Sequence, residues 1–249
     1  MTDHDQPDPP DPGVPGPDAI DTEAGAPTSH FTPEQAAACR EMVDHQLRRR
    51  GVHDPRVLGA MLAVPRHVFV PPEFTASAYD DQPLPIGEEQ TISQPFMVAS
   101  MSEALELTGR ETILEIGAGS GYQTAVLCCL ARKVHAVESR PALADAARER
   151  LARLGYRHVH IHAGDGTLGW PAAAPYDAIL VTAAAPAVPE PLLAQLAEGG
   201  RMVLPVGPPD MQHLQRIRRR GGEIFTETFY QCRFVPLVGR FGWAPPQKT

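Results

Sequence analysis

Three alternating glycines, Gly117, Gly119 and Gly121, are the residues of this chain whose spacing most directly implies chemistry. They follow a short apolar segment, residues 112–116, and precede a segment with helical spacing. Glycine accepts positive φ and lets backbone N–H groups approach a ligand closely, so this strand, turn and helix predict a site for a nucleotide-like molecule. A dinucleotide fingerprint would place its third glycine at position 122, where Tyr122 stands, so the spacing argues against a dinucleotide.

Acidic residues stand at the ends of the next predicted strands. Glu138 lies 21 positions after Gly117, near the ~20-residue offset of a carboxylate that binds ribose hydroxyls. Asp165 lies between two glycines after the segment 159–162, where a short acid can approach an adenine amino group. A single acid at a strand end is more often a helix cap or part of a solvated turn. Together with Glu115 in the first strand, however, these acids predict one binding site.

The segment before the glycines offers hydroxyl and amide side chains. Gln90, Thr91 and Ser93 precede Pro95 in a loop. Hydroxyl groups in this place could bind a substrate carboxylate by hydrogen bonds. Thr91 and Ser93 could equally cap the helix that follows Pro95, and the residue types alone leave both interpretations open.

The elements that would position these residues follow from changes in the hydrophobic period. Thr32, Pro33 and Glu34 predict a cap, a first-turn proline and an early acid for a helix over 31–51. The next predicted elements are a helix over 57–64, a proline-rich and mostly extended stretch over 65–99, and a helix over 100–107. Strands are then predicted at 112–116, 133–139, 159–162 and 176–181, helices at 143–154 and 191–196, and paired strands at 211–220 and 223–236. This order predicts an α/β fold with a mostly parallel sheet, helices on both faces and an antiparallel edge strand.

Charge is concentrated at the start of the chain. Residues 1–30 contain seven acids and seven prolines but no Lys, Arg or aromatic residue, which predicts a disordered tail. The whole chain has a formal net charge of −8, whereas residues 31–249 have 23 acidic and 22 basic side chains. The body therefore lacks the basic footprint of a nucleic-acid-binding protein. With no signal sequence and no apolar run of ~18 residues, we expect a cytoplasmic protein that does not bind membrane. We also expect a monomer that does not bind nucleic acid.

Two groups of side chains could suggest a metal or a redox site. His158, His160 and His162 alternate along a predicted strand, which would place them on one face and invites a zinc hypothesis. A polar strand face explains the same pattern without further ligands, so we expect no metal. The four cysteines have no C-x-x-C spacing and are predicted to be reduced core thiols: Cys39, Cys128, Cys129 and Cys232.

Several longer segments resemble known enzymes. The strand with Glu115 and its glycine turn resembles the first motif of S-adenosylmethionine-dependent methyltransferases. Eight segments resemble the protein-L-isoaspartate (D-aspartate) O-methyltransferase family, and QTISQP within the third is highly specific to it: PRHVFVP at 65–71, AYDDQPLPIG at 78–87, QTISQPFMVASM at 90–101, ILEIGAGSGYQTAVL at 113–127, GDG at 164–166, PYDAILVTAAAP at 175–186, LAEGGRMVLPVG at 196–207 and RFVPLVGRFGW at 233–243.

This resemblance implies a fold and a division of the chain. The fold would be a Rossmann-like class I methyltransferase with an N-terminal helical and extended cap. The implied parts are a tail (1–30), N-terminal helices with a substrate-side extended segment (31–99), a methyltransferase core (100–243) and a C-terminal tail (244–249).

The resemblance also implies an activity and its residues. Ser93 falls on the family's active-site serine, and the co-substrate S-adenosyl-L-methionine would be bound through Thr91, Ile92, Gly117, Ala118, Gly119, Ser120, Gly121, Glu138, Asp165 and Gly166. Glu138 would meet the ribose, and Asp165 with Gly166 the adenine. The implied reaction methylates the carboxylate of L-isoaspartyl residues in damaged proteins, and the ester then collapses to a succinimide, which begins repair. Because such a carboxylate is already ionised at pH 7, the reaction needs alignment and no strong base.

One departure from the family pattern lies beside the active-site segment. The family commonly has glycine two residues before the Thr of that segment, whereas this chain has Glu88 and Glu89 before Gln90. If position 89 requires positive φ, Glu89 is strained there by ~1–2 kcal/mol.

Three competing functions would each require features that differ from those of this sequence. A nucleic-acid amino-methyltransferase would carry an Asp/Asn-Pro-Pro-aromatic motif after its fourth strand, but the segment 182–186 reads Thr-Ala-Ala-Ala-Pro. A peptide-tailoring relative that methylates aspartate in one precursor would add a C-terminal recognition domain, but this chain ends six residues after Trp243. A non-catalytic module that only binds the co-substrate is disfavoured by Ser93. We therefore expect the repair enzyme, with the tailoring enzyme as the alternative.

Overall fold

The computed structural model of the protein describes residues 30–244. The chain divides into two units, residues 1–30 and residues 31–249. The predicted N-terminal tail and the predicted C-terminal tail lie almost entirely outside the described residues, so both stay predictions.

Six α-helices and nine strands follow one another in the described part of the chain. The helices are α1 (Pro33–Glu41), α2 (Pro55–Ala63), α3 (Pro95–Ala104), α4 (Tyr122–Cys128), α5 (Pro141–Arg153) and α6 (Glu190–Gln195). The strands are β1 (Leu84–Gly87), β2 (Gln90–Ile92), β3 (Thr112–Ile116), β4 (Lys133–Glu138), β5 (Val159–Ala163), β6 (Tyr176–Val181), β7 (Leu196–Val206), β8 (Gln212–Arg220) and β9 (Glu223–Cys232). Across residues 30–244, no helix combines the length and the apolar character needed to cross a bilayer.

Seven of the strands form one sheet in the order β5-β4-β3-β6-β7-β8-β9. Neighbours from β5 to β7 are parallel, whereas β8 is antiparallel to β7 and β9 is antiparallel to β8. The prediction of a mostly parallel sheet is confirmed, and its antiparallel edge contains two strands. The chain runs outward from β3 to β5 and then crosses back to β6, so a ligand crevice is expected beyond the carboxyl end of β3.

The central strands are buried on both faces. In β3, Ile113 packs into one apolar cluster and the next residue, Leu114, packs into another. In β6, Leu180 packs into the cluster of Ile113, and Ile179 packs into the cluster of Leu114. Because successive side chains of a strand point to opposite faces, these two clusters are the packed layers above and below the sheet.

The first helix begins as its sequence predicts. The Thr32 hydroxyl accepts a hydrogen bond from Gln35 N at 3.2 Å, and the Gln35 side chain accepts one from Thr32 N at 2.9 Å. This reciprocal capping box satisfies two backbone donors at the helix start. The helical path continues beyond α1 through residues 42–50 to Gly51, whose φ of 95° ends it.

The segment 65–99 differs from its prediction as a mostly extended stretch. It contains short 3₁₀ turns at Arg66–Phe69 and Pro72–Ser77, followed by the antiparallel hairpin of β1 and β2. The helix expected at 100–107 begins earlier, at Pro95. The reason is that proline fits the first helical position, where its missing N–H and fixed φ carry no penalty.

Three of the four cysteines fit the prediction of buried thiols. All four are free, and Cys39, Cys128 and Cys232 are buried, but Cys129 is exposed. The prediction for Cys129 is wrong because α4, whose residues are all buried, ends at Cys128, and Cys129 follows it as the exposed C-cap.

Candidate active site

A cleft lies beyond the carboxyl ends of β3, β4 and β6, where the strand order reverses. Its empty volume, including the open mouth, is about 840 Å³. The predicted site residues on its wall are Thr91, Ile92, Ser93, Gly117, Ala118, Gly119, Ser120, Glu138 and Gly166. Gly121 and Asp165 do not line it.

The glycine turn after β3 is closely packed at two of its positions. Gly117 has a φ of 95°, and a Cβ there would lie 2.5 Å from the Thr182 hydroxyl oxygen. That hydroxyl is held in place because it donates to the backbone oxygens of Ile116 and Gly117. Gly121 has a φ of 88° and caps α4, and a Cβ there would lie 3.3 Å from the Ala147 Cβ. Gly117 therefore shapes the cleft, whereas Gly121 serves the packing of α4.

Glu138 stands at the end of β4 with its carboxylate on the cleft wall. One of its oxygens accepts a hydrogen bond from Gly119 N at 2.8 Å, and the other accepts one from Arg140 N at 2.9 Å. These contacts tie the carboxylate to the glycine turn, although only 5% of Glu138 is exposed. An orientated carboxylate with acceptor capacity left over suits a vicinal diol.

Asp165 differs from the prediction that its carboxylate faces the ligand. One of its oxygens accepts hydrogen bonds from the Thr167 N–H and hydroxyl at 2.9 and 2.7 Å, and the other accepts from Arg240 N at 2.8 Å. These bonds turn the side chain towards residues 167 and 240, and the neighbouring Gly166 forms the wall instead. Without a ligand, Asp165 is a cap that fastens the C-terminal segment to the 165–168 turn.

Ser93 follows β2 and has a free hydroxyl. Among the described residues no hydrogen bond to its side chain is found, and α3, whose N-cap is Gln94, has no side-chain cap. The alternative that Ser93 or Thr91 caps α3 is therefore wrong. The half-buried hydroxyl remains available to a ligand.

Ser93 also lines a second, open groove. The groove shares Thr91, Ser93 and Thr182 with the cleft and continues past Phe96 and Tyr230. Its empty volume is about 1530 Å³ including open solvent. Ser93 thus stands where the cleft meets an open groove.

The hairpin that leads to Ser93 contains two strained residues. Glu88 and Glu89 form its two-residue turn, with φ values of 50° and 58°. Both positions have the left-handed backbone for which glycine and asparagine are preferred in such turns. The condition on which strain at Glu89 was predicted, a positive φ, is therefore met.

Replacing Glu89 by glycine is expected to raise the free energy of unfolding by about 0.5–1 kcal/mol, because relief of the left-handed strain exceeds the added entropy of the unfolded chain. Urea denaturation measures the change. Glu73, an exposed residue of the 72–77 turn without positive φ, provides the control, since E73G should lower stability. A lower unfolding midpoint for E89G would contradict the strain.

Glu115 is a buried acid immediately behind the cleft. It is 0% exposed, and neither carboxylate oxygen has a hydrogen-bond partner among the described residues. Burial raises the pKa of Glu115 to about 8; the nearby Thr124 hydroxyl opposes this shift, and the negative charge of Glu138 adds to it. Glu115 does not line the cleft, and the protein interior around β3 favours its protonated form.

Glu115 also predicts a pH dependence for the ligand-free protein. Its folded-state pKa lies above its ordinary value of 4.5, so the folded state holds a proton that the unfolded state releases. The contribution of Glu115 to the free energy of unfolding is therefore fully present below about pH 4.5. It falls by about 1.4 kcal/mol per pH unit as the pH rises to about 8. Urea unfolding of E115Q from pH 5 to 9 should show a flatter dependence than wild type. E149Q, at an exposed position of α5, should follow wild type, and equal slopes for all three would refute the argument.

Some residues of the cleft wall were missed from the sequence. Residues 235–238 return to the cleft after β9, where Ala184 N donates to Val235 O at 2.7 Å and Leu237 N donates to Ala184 O at 2.8 Å. Thr182 and Gln123 also line the cleft. Their residue types carry no chemical pattern, so only the resemblance of the segment 233–243 could have drawn attention to the return.

The histidines do not form a metal site. His160 and His162 of β5 stack on His135 of β4 with ring centroids 5.1 and 5.6 Å apart, and His158 contacts the Cys128 carbonyl. His135 Nδ1 and His162 Nε2 lie 3.2 Å apart and share a hydrogen bond. Within residues 30–244, no group of three or more His, Cys, Asp or Glu side chains could hold a metal ion.

The fold and the cleft together define a class of enzyme. A doubly wound sheet with a glycine turn after β3 and a fixed carboxylate after β4 is that of a Rossmann-like class I S-adenosylmethionine-dependent methyltransferase. The sequence model of the protein-L-isoaspartate(D-aspartate) O-methyltransferase family matches residues 38–242. This chain belongs to that family.

Individual relatives agree with this membership. A protein-L-isoaspartate O-methyltransferase of Methanoculleus marisnigri is 53% identical over 213 residues, which cover 84% of this chain and 97% of the relative. One of Geobacter metallireducens is 56% identical over 207 residues, covering 83% and 96%.

Solved structures confirm the predicted fold. A protein-L-isoaspartate O-methyltransferase structure superposes with a TM-score of 0.74 at 30% identity and covers 82% of this chain and 67% of that one. A Plasmodium falciparum structure described as a protein-L-isoaspartate O-methyltransferase, in complex with S-adenosyl-L-homocysteine, has a TM-score of 0.70 at 26% identity, covering 80% and 97%.

Proposed function

We propose that this protein transfers the methyl group of S-adenosyl-L-methionine to the carboxylate of L-isoaspartyl residues in damaged proteins. The observation that carries the proposal is the position of Ser93, whose free hydroxyl stands between the cleft and the open groove. The amide nitrogen of the isoaspartyl linkage then attacks the ester carbonyl without the enzyme and expels methanol, which closes a succinimide. Part of the succinimide hydrolyses to normal aspartate.

S-adenosyl-L-methionine supplies an electrophilic methyl group on a sulfonium. We propose that Glu138 holds the ribose diol and that the turn from Gly117 to Gly121 accepts the methionine part. Gly166 would meet the adenine. The Asp165 carboxylate already accepts hydrogen bonds from Thr167 and Arg240. It would bind the adenine only through a lone pair that these bonds do not use. Thr91 and Ile92 would border the same ligand from the hairpin side.

Ser93 is proposed to orient the acceptor. Its hydroxyl donates a hydrogen bond to one carboxylate oxygen and so directs the other oxygen at the methyl carbon. The carboxylate is ionised at pH 7 and needs no base. Correct alignment of reacting atoms can by itself lower a barrier by several kcal/mol.

The composition supports further proposals about partners. A near-neutral body, with 23 acidic and 22 basic residues from 31 to 249, favours a protein substrate over nucleic acid. Action as a monomer in the cytoplasm, without membrane contact, is proposed on the same composition. The alternative, an aspartyl methyltransferase for a dedicated precursor peptide, is less well supported because the relatives named above are isoaspartate enzymes.

One assay separates these functions. Purified protein with labelled S-adenosyl-L-methionine should methylate an isoaspartyl peptide and leave its normal aspartyl twin unlabelled. Equal labelling of the two peptides, or labelling of neither, would sink the repair function.

A further inference from the structure

Arg66 carries a charge that is buried without an ion pair. Arg66 is 0% exposed, and among the described residues no Asp or Glu lies within salt-bridge distance of its guanidinium. One of its guanidinium nitrogens, Nη1, has no hydrogen-bond partner there. Burying an uncompensated guanidinium is costly, which directs attention to what its other nitrogens hold.

The guanidinium joins three separate segments. Nε donates to the Ala78 carbonyl at 2.6 Å, and Nη2 donates to the Ser93 carbonyl at 2.8 Å. The group also lies over the ring of Tyr122, 4.8 Å from its centroid, at the first residue of α4. The planar fork of an arginine presents these donors in a fixed geometry that a lysine cannot reproduce.

The bond to Ser93 is the one that bears on catalysis. Only Ser93 and Gln94 connect β2 to α3. In residues 30–244, no hydrogen bond to Ser93 other than that from Arg66 is found. The position of the Ser93 main chain, and with it the place from which the hydroxyl projects, therefore depends on how Arg66 holds the carbonyl of the same residue.

We propose that Arg66 is a positioning residue for the proposed methyl transfer. It fixes the main chain of Ser93 relative to Tyr122 and the glycine turn, so that the hydroxyl stands at the junction of cleft and groove. Arg66 does not touch the reacting atoms. The inference rests on the proposed function. It gives the buried guanidinium of Arg66 the role of aligning the acceptor carboxylate through Ser93.

The test is R66K in two backgrounds, wild type and S93A, with an isoaspartyl peptide as substrate. In the wild-type background kcat should fall about 10- to 100-fold, as expected for displacement of an aligning group by about 1 Å, while the KM for S-adenosyl-L-methionine changes less than about threefold. In the S93A background, R66K should lower kcat by less than about threefold further, because the hydroxyl that Arg66 positions is gone.

Arg201 provides a matched control. It also donates to two backbone carbonyls, those of Leu105 and Glu106, and its side chain is 16% exposed, but it lies beside the loop that precedes β3. R201K should lower thermal stability and leave kcat within about twofold. If R66K does not fold, R66Q, which keeps a donor and removes the buried charge, takes its place in the same cycle.

The possible results are distinct. Equal losses from R66K in both backgrounds, an unchanged kcat in R66K, or an equal loss of kcat in R201K would overturn the role of Arg66. A wild-type protein that does not methylate the isoaspartyl peptide would instead overturn the proposed function.

Discussion

Replacing Ser93 by alanine is expected to lower kcat/KM for an isoaspartyl peptide about 10- to 100-fold. The reason is that a hydrogen bond to a charged group contributes about 1.5–3 kcal/mol, and here it would also align the carboxylate. The KM for S-adenosyl-L-methionine should stay within about twofold, since the proposed contacts of its ribose and adenine lie elsewhere in the cleft. Initial rates with labelled co-substrate, varied separately with each substrate, measure both effects.

The control for this substitution is S77A. Ser77 belongs to the 72–77 turn and lines neither the cleft nor the groove. Its replacement should leave both kinetic constants unchanged. If S93A kept at least half of the wild-type rate, Ser93 would not orient the carboxylate, although membership of the family would be unaffected.

The second large effect is expected at Glu138. Changing it to glutamine should raise the KM for S-adenosyl-L-methionine about 10- to 100-fold, because bonds from the ribose hydroxyls and from Gly119 and Arg140 would lose their charge assistance. The kcat at saturating co-substrate should fall much less, since Glu138 is not proposed to touch the acceptor. Steady-state kinetics and calorimetric binding of S-adenosyl-L-homocysteine measure the loss.

Asp177 allows a matched comparison. Its carboxylate accepts a hydrogen bond from Thr112 N at 2.7 Å, at the amino end of the sheet and far from the cleft in the strand direction. D177N should therefore lower stability without changing the KM. A similar rise in KM for both variants, or no rise for E138Q, would show that the effect of Glu138 on co-substrate binding is not a direct contact.

The hairpin before Ser93 shows how far local sequence reaches. The strain at Glu89 could be anticipated because the family pattern places glycine there, and the backbone has the positive φ expected. The beginning of α3 at Pro95 was missed, although proline is well suited to a first helical position. The same residue types permit a loop and a helix, and burial of Pro95 and Val98 decides between them.

The acids give a similar contrast. Both Glu138 and Asp165 follow strands and satisfy the spacing of a nucleotide site. Glu138 turns to the glycine loop, whereas Asp165 is engaged by Thr167 and Arg240. Spacing brings an acid to the end of a strand, but the donors nearest to its carboxylate decide where the side chain points, and Arg240 comes from a distant part of the chain.

The sequence by itself determined the strand, glycine turn and helix at 112–128, the strands and helices from β4 to α6, and the chemical groups of the segment around Ser93. These features rest on backbone preferences and hydrophobic periods that neighbouring residues encode together. Only the tertiary structure decided that residues 235–238 complete the cleft and that Arg66 holds the Ser93 carbonyl. Such contacts join residues far apart in the chain, and no local pattern records them because packing of the whole fold sets their geometry.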